Sequence, residues 1–273
     1  MLPVLLNIGP ITIYSFGFFL ALSYLVGTFV FWKLGKKQGY NEEKLLDLSV
    51  ISLITALVGG HLYFAILNFS LFQDSLVSIL YVWQGGFAYH GSLAAVFLVV
   101  SYFVVKWKWS YFQIADIGSL AATASLIVGK VGTFFAGFDF GRVSSLPWAV
   151  QFPNLVGQRH PAQLYEALAY MVVFVLLYYL YLRNLASSEM KSGKIFFSFL
   201  VLTGLTRAIF EFFRAQSLFV GVLPLASLVS LMVVSVAIVA LYYFQIRDLK
   251  NDLRVFLGSF LALNKKVLRR LKL

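Results

Sequence analysis

The 273-residue chain contains no cysteine. Disulfides, a nucleophilic thiol of the protein's own and thiolate metal sites are therefore excluded. The sequence has only three histidines, His61, His90 and His160, and their spacing is not that of metal ligands. We therefore expect no metal site.

Charge is also scarce. Only 12% of the residues are charged and 60% are hydrophobic, whereas soluble domains have about a quarter of their residues charged. Several apolar runs exceed the roughly 18–20 residues that cross a bilayer. The first residues, MLPVLLNIGP, lack the basic start of a removable signal peptide. The composition predicts an all-α, polytopic integral membrane protein with a single domain.

The hydrophobic runs predict about seven transmembrane helices. They cover residues 11–32, 45–67, 93–105, 114–135, 164–182, 195–213 and 222–244, and an interfacial or half-length helix over 74–83 precedes the third. Residues 1–245 thus form the membrane domain, with a polar loop over 137–163. Residues 246–273 are predicted to be a basic amphipathic tail on the anionic inner leaflet, rather than a nucleic-acid-binding segment.

The basic residues predict the orientation. Of 22 Lys and Arg residues, 17 lie in the tail or at the helix ends that share its side. By the positive-inside rule, the C-terminus is cytoplasmic, the N-terminus is outside and the loop 137–163 faces outward. The five exceptions are Lys130, Arg142, Arg159, Arg207 and Arg214. Together they predict an outward cationic cluster suited to an anion.

Arg207 and Glu211 are four residues apart, so they share one face of the sixth helix. They can form a salt bridge that only eases insertion. Alternatively, Glu211 holds the guanidinium of Arg207 so that it can bind a phosphate through two hydrogen bonds. Arg214 is either a ligand of the same anion or a headgroup anchor.

The remaining polar groups also have two interpretations. His90, flanked by glycines, is either a structural histidine or a general base. Lys130 can extend to the interface without further role, and Asp139 can simply pair with Arg142. Glu166 is consistent with a helix start, where a carboxylate is favourable.

Six short motifs, in this order, resemble the bacterial prolipoprotein diacylglyceryl transferases. They are IGPITIYSFGF, WQGGFAYHGS, GKVGTFFAGFDFGR, PWAVQFP, RHPAQLYE and GLTRAIFEFFR. Such enzymes move the diacylglyceryl group of phosphatidylglycerol to the lipobox cysteine of a preprolipoprotein signal peptide, forming a thioether. The resemblance implies seven spans with the N-terminus outside, the bacterial inner (plasma) membrane as location, and no cofactor.

The resemblance also implies residue roles. His90 matches the family's histidine, Gly141 the last glycine of its signature, and Arg207 with Glu211 its late Arg–Glu pair. We expect His90, Arg207 and Glu211 to be catalytic. The lipid phosphate is expected to contact residues drawn from Lys130, Thr133, Gly141, Arg142 and Arg214.

The sequence departs from the family pattern at several positions. Lys130 and His61 each occupy a position where the family usually has an arginine. Thr133 and Ala136 stand for two asparagines, Phe138 for a glutamate and Phe16 for a tyrosine. Lysine keeps the charge but lacks the guanidinium fork. The alternative function is therefore a catalytically altered relative that binds or transports lipid.

Overall fold

The computed structural model describes residues 1–187, 191–215, 217–245 and Arg254. This part of the chain contains seven helices long and apolar enough to cross a membrane, which confirms the predicted all-α polytopic fold. They are α1 (Ser15–Lys37), α2 (Glu42–Leu67), α3 (Tyr89–Lys106), α4 (Tyr111–Ala136), α5 (Ala162–Leu185), α6 (Lys194–Phe210) and α7 (Leu225–Gln245). Apart from Arg254, the predicted tail lies outside the described residues. The predicted orientation stays a prediction.

Three short antiparallel hairpins accompany the helices. Their strands are β1 (Val4–Ile8) with β2 (Ile11–Tyr14), β3 (Val150–Gln151) with β4 (Gln158–Arg159), and β5 (Phe219–Val220) with β6 (Leu223–Pro224). Each of them lies next to the end of a membrane-crossing helix or within the loop 137–161.

The chain forms two compact units. The N-terminal unit, residues 2–136, contains α1–α4, in which α1 packs mainly on α4 and α2 on α3. The C-terminal unit comprises the described residues from 137 onward together with Met1, and in it α6 packs on both α5 and α7.

The start of the first span was predicted wrongly. Residues 11–14 form β2 instead of a helix, and α1 begins at Ser15. Gly9 has φ +57° and precedes Pro10, so the chain turns there. The β-branched residues that follow favour an extended strand. The Ser15 hydroxyl then donates to the carbonyl of Leu2, which ties the hairpin to the helix start.

One further prediction was wrong in detail. The predicted helix over 74–83 consists of 3₁₀ turns, Leu76–Leu80 and Val82–Gln84, after an earlier turn, Phe69–Leu71. Short 3₁₀ turns are frequent as connectors between helices. The sixth span continues from α6 through the 3₁₀ turn Glu211–Phe213, so Arg207 and Glu211 both lie within it, as predicted for residues 195–213.

Helices α2 and α3 cross at a contact that only glycine allows. A Cβ added at Gly91 would lie 2.3 Å from the Cβ of Tyr63 and 2.6 Å from the carbonyl oxygen of Gly59. The Ser92 hydroxyl donates to the carbonyl of Ala56 across the same crossing, at 2.7 Å. This close approach fixes the first turn of α3, which carries His90.

We predict that Gly91→Ala destabilises the protein by about 1–3 kcal/mol, because the added methyl group overpacks the crossing. Gly118→Ala is the matched control, since a Cβ at Gly118 in α4 has no heavy atom within 4 Å. Thermal unfolding in detergent should show a lower Tm for Gly91→Ala and no loss for Gly118→Ala. Equal Tm values for the two variants would show that the crossing tolerates a side chain.

Candidate functional site

Arg214 is the centre of a charge network in the C-terminal unit. Its Nη2 lies 2.9 Å from Oε1 of Glu166 and 3.1 Å from Oδ2 of Asp139, and its Nε lies 3.8 Å from Oε2 of Glu211. The side chains of Glu166 and Glu211 are buried, with 1% and 6% of their surface exposed. Burial alone would lower the pKa of Arg214, but attraction by Glu166 and Asp139 outweighs it and raises that pKa.

Arg207 joins this network through Glu211. Its Nη2 lies 2.9 Å from Oε2 of Glu211, so the predicted pair does form. The other oxygen of that carboxylate accepts from the Ser217 hydroxyl at 2.9 Å. Glu211 is therefore held from several directions, whereas about a third of the Arg207 side chain remains exposed. An arginine fixed in this way keeps donors available for a ligand.

Gly141 lies where three backbone segments meet. Its N–H donates to the carbonyl of His160 at 3.1 Å, and the next N–H, that of Arg142, donates to the carbonyl of Phe213 at 2.8 Å. A Cβ at Gly141 would lie 2.5 Å from the His160 carbonyl oxygen. The absence of a side chain thus allows the loop to bring Arg142 beside Arg214.

Arg142 and Arg159 lie at the edge of the network. Arg142 donates from Nε to the carbonyl of Arg214 at 3.2 Å, and its guanidinium lies over the ring of Phe219, 5.2 Å from the centroid. Arg159 donates to the carbonyl of Gly141 at 3.3 Å. Arg142 is exposed, so it presents a cation at the surface of the unit.

Sequence reasoning missed the partners of Arg214. It paired Asp139 with Arg142 and assigned Glu166 to a helix start, although both carboxylates contact Arg214. The signal was available in the charge count: besides Asp74, the regions predicted to face outward contain only Asp139, Glu166 and Glu211 as acidic residues. Buried charges are retained when they are paired, so these three were the obvious counter-charges for a buried arginine.

A second polar chain in the C-terminal unit was also missed. The Tyr165 hydroxyl accepts from Nε1 of Trp148 at 2.7 Å and lies 3.3 Å from Nδ1 of His160. The imidazole of His160 packs edge-on against the ring of Phe213. These contacts fix the loop 137–161 on the start of α5 and on the turn after α6.

The N-terminal unit carries the other predicted site residues. His90 is exposed in the first turn of α3, where its ring contacts Tyr89 edge-on. Lys130 and Thr133 lie half-buried in the last two turns of α4, and the Thr133 hydroxyl donates to the carbonyl of Lys130 at 2.9 Å. The structure thus brings Gly141, Arg142, Arg207, Glu211 and Arg214 together, and places His90, Lys130 and Thr133 in a separate unit.

His61 holds the segment that precedes α3. The ring is buried, with Nδ1 2.9 Å from the carbonyl oxygen of Gly86 and Nε2 2.8 Å from that of Ile79. Both ring nitrogens therefore face backbone carbonyl oxygens of the segment between α2 and α3.

The remaining substituted positions, Phe16, Ala136 and Phe138, are apolar. Phe16 and Phe138 are exposed, and Ala136 is the last residue of α4. The Phe138 carbonyl accepts a hydrogen bond from the buried amide of Gln163. Among the described residues, no group of three His, Asp or Glu side chains is arranged to hold a metal ion.

Fold and charge network together define a multi-pass helical membrane protein with a fixed cluster of arginines and carboxylates beside α5 and α6. The sequence model described as prolipoprotein diacylglyceryl transferase matches residues 3–243. The chain therefore belongs to the prolipoprotein diacylglyceryl transferase family, which confirms the resemblance and the predicted transferase class.

Relatives from several bacteria support this assignment. A phosphatidylglycerol–prolipoprotein diacylglyceryl transferase from a Nostoc species is 32% identical over 254 residues, which are 90% of each chain. The protein of the same name from Photobacterium profundum is 32% identical over 220 residues, 78% of this chain and 80% of its own. That from Thermosynechococcus vestitus is 28% identical over 251 residues, 87% and 92% of the two chains.

We predict that Glu166→Gln destabilises the protein, because it leaves the buried Arg214 with less counter-charge. Removing one partner of a buried pair costs about 3–5 kcal/mol, and we expect about 3 kcal/mol here because Asp139 and Glu211 remain. Unfolding by SDS titration in mixed micelles measures the effect.

The matched control is Glu42→Gln. Glu42 pairs with Lys36 at 2.8 Å, but both side chains are about half exposed. Such surface pairs contribute about 0–1 kcal/mol. If the two variants lost the same stability, the Arg214 network would be no more than a surface ion pair in energetic terms.

Proposed function

We propose that the chain transfers the diacylglyceryl group from phosphatidylglycerol to the lipobox cysteine of preprolipoprotein signal peptides. The cysteine sulfur attacks the glycerol carbon that is bonded to the phosphate oxygen. The C–S bond forms as that C–O bond breaks, glycerol phosphate leaves, and the thiol proton passes to a base. Membership in the family and the names of the relatives support this substrate pair. We also propose the bacterial inner membrane as the location.

The single observation that carries the proposal is the fixed, partly exposed arginine pair of the C-terminal unit. Arg207 is held by Glu211, and Arg142 is held by the Arg214 carbonyl and the Phe219 ring. Guanidinium groups bind phosphate oxygens through paired hydrogen bonds. Because their geometry is set before substrate binds, they stabilise the charge that develops on the departing phosphate with little reorganisation.

In this mechanism Arg214 and Gly141 are positioning residues. Three carboxylates surround Arg214, so its charge is already neutralised and it is a weaker phosphate ligand than Arg142 or Arg207. Gly141 contributes by letting the loop approach the His160 carbonyl. Their substitution would displace the two ligand arginines instead of removing a direct contact.

His90 is the proposed general base. Only the thiolate form of the cysteine is a good nucleophile, and imidazole is the side chain best suited to accept its proton near neutral pH. His90 is exposed at the start of α3, where the crossing of α2 and α3 fixes its backbone. Lys130 and Thr133 are proposed as further phosphate contacts, in which lysine supplies charge without a guanidinium fork.

The transferase is favoured over the lipid-binding or transport alternative. The relatives are transferases by name over nearly the whole chain, and the Arg207–Glu211 ion pair is present, with 2.9 Å between Nη2 and Oε2. Arg207 and Glu211 both match the family pattern. The departures from it are at other positions, among them Lys130, Thr133, Ala136, Phe138 and Phe16. We therefore propose an active enzyme whose signature loop contains fewer polar side chains than its family's usual pattern.

We predict that Arg207→Ala lowers transferase kcat/KM by about 10²–10³, the effect of removing one donor to developing negative charge. Arg207→Lys should be intermediate because it keeps the charge and loses the fork. The measurement is diacylglyceryl transfer from phosphatidylglycerol to a lipobox peptide by the purified protein, followed by mass spectrometry. Arg183→Ala, at the opposite end of α5, is the control. Normal turnover by Arg207→Ala would exclude the phosphate-binding role.

We predict that His90→Gln lowers the rate by about 10²–10⁴, the usual contribution of a general base. The pH–rate profile should lose the ionisation of an imidazole and keep that of the peptide thiol. His160→Gln is the control, and its profile should retain both ionisations. An unaltered pH–rate profile in His90→Gln would assign proton removal to another group. The proposed phosphate-binding role of Arg207 does not depend on that result.

A further inference from the structure

The second part of the connection between α6 and α7, after Arg214, carries no charge. Residues 215–224 contain no Asp, Glu, Lys or Arg. Loops usually run over the surface in water, where their backbone polar groups can be hydrogen-bonded, and their side chains are usually polar. A charge-free run of ten residues directly before a membrane-crossing helix therefore indicates a segment that does not extend into bulk water.

The apolar side chains of this connection point away from the protein. Leu218 is 76% exposed, Val220 56% and Val222 86%, around the β5–β6 hairpin. Gly221 has φ +62°, as the first position of a two-residue hairpin turn requires. Exposed apolar groups at adjacent positions mark an interaction surface.

The position of the hairpin identifies what covers that surface. Helix α7 begins at Leu225 and has 21 residues, so it is about 32 Å long and matches the roughly 30 Å hydrocarbon core. Val222 is three positions before this start, a distance of at most about 10 Å along an extended chain. The hairpin tip is thus confined to the boundary between headgroups and acyl chains.

We propose that the β5–β6 hairpin inserts into this boundary of the bilayer, with Leu218, Val220 and Val222 among the lipids. The backbone tolerates such a place because the strands pair and the N–H of Leu225 donates to the carbonyl of Leu218 at 2.8 Å. A depth of about 5–10 Å is usual for interfacial elements.

The hairpin also positions a cation for the lipid. Phe219 lies under the guanidinium of Arg142, 5.2 Å from ring centroid to Cζ, and Arg142 bonds to the Arg214 carbonyl. Cation–π attraction is stronger where water is excluded. Insertion of the hairpin therefore fixes Arg142 at the level of the lipid phosphates. This second step rests on the proposed transferase function, whereas the insertion does not.

The absence of cysteine makes the insertion directly testable. A single-cysteine variant, Val222→Cys, is labelled with an NBD fluorophore and reconstituted in phosphatidylcholine–phosphatidylglycerol vesicles. Val156→Cys, at a site 89% exposed in the loop between β3 and β4, is the matched control. Lipids with a nitroxide on the acyl chain and aqueous iodide serve as quenchers.

We expect the label at position 222 to be quenched roughly twofold or more strongly by nitroxide lipid than the label at position 156, and to be protected from iodide. Quenching of the position-222 label by iodide alone would overturn the proposal, because the tip would then be in water. Protection from both quenchers would also overturn it, because a protein partner or a second copy would then cover the hairpin.

The coupling to Arg142 is tested at Phe219. Phe219→Leu keeps an apolar side chain without the ring and should raise KM for phosphatidylglycerol several-fold with little change in kcat, while Phe219→Tyr keeps the ring and should restore KM. Equal KM values for wild type and Phe219→Leu would remove the coupling and leave the insertion result intact. An inactive wild type would instead contradict the proposed function, and the fluorescence would still decide the insertion.

Discussion

The interaction of Arg214 with three carboxylates is the constraint on which the C-terminal unit depends. Its contacts to Glu166, Asp139 and Glu211 join the start of α5, the loop after residue 136 and the turn after α6. Buried charges are costly alone and tolerable in pairs. Since the guanidinium needs all three segments in place, the same contacts that neutralise it also fix the backbone around it. Arg142 and Arg207 then receive defined positions without a stabilising ligand.

The N-terminal unit achieves fixed geometry by different means. Its α2–α3 crossing depends on the absence of side chains at Gly59 and Gly91, and the segment before α3 is held by two backbone carbonyls on His61. Neither device needs a charged pair. Each unit thus fixes its own candidate groups by its own contacts: Arg142 and Arg207 in the C-terminal unit, and His90 in the N-terminal unit.

Much of the fold could be predicted from the sequence, because apolar runs of bilayer length have few alternatives to helices. The cationic residues could also be identified, since the charge bias of the loops is strong. Their partners could not: Asp139 precedes Arg142 by three residues, yet its contact is with Arg214, 75 positions away. Local spacing predicts pairs within a helix, whereas this loop pairs through tertiary structure. The strand at residues 11–14 was missed for a different reason: a short apolar run fits either a helix or a hairpin.

The central claim is that the chain is an active transferase although Lys130, Thr133, Ala136 and Phe138 depart from the family's signature. Complementation tests it most directly: the wild-type chain is expressed in a bacterial strain depleted of its own prolipoprotein diacylglyceryl transferase. The account predicts restored growth and lipoproteins carrying the diacylglyceryl thioether, detected by mass spectrometry. Unmodified preprolipoproteins and no growth, with the chain folded and present in the membrane at the level of a rescuing control enzyme, would contradict it.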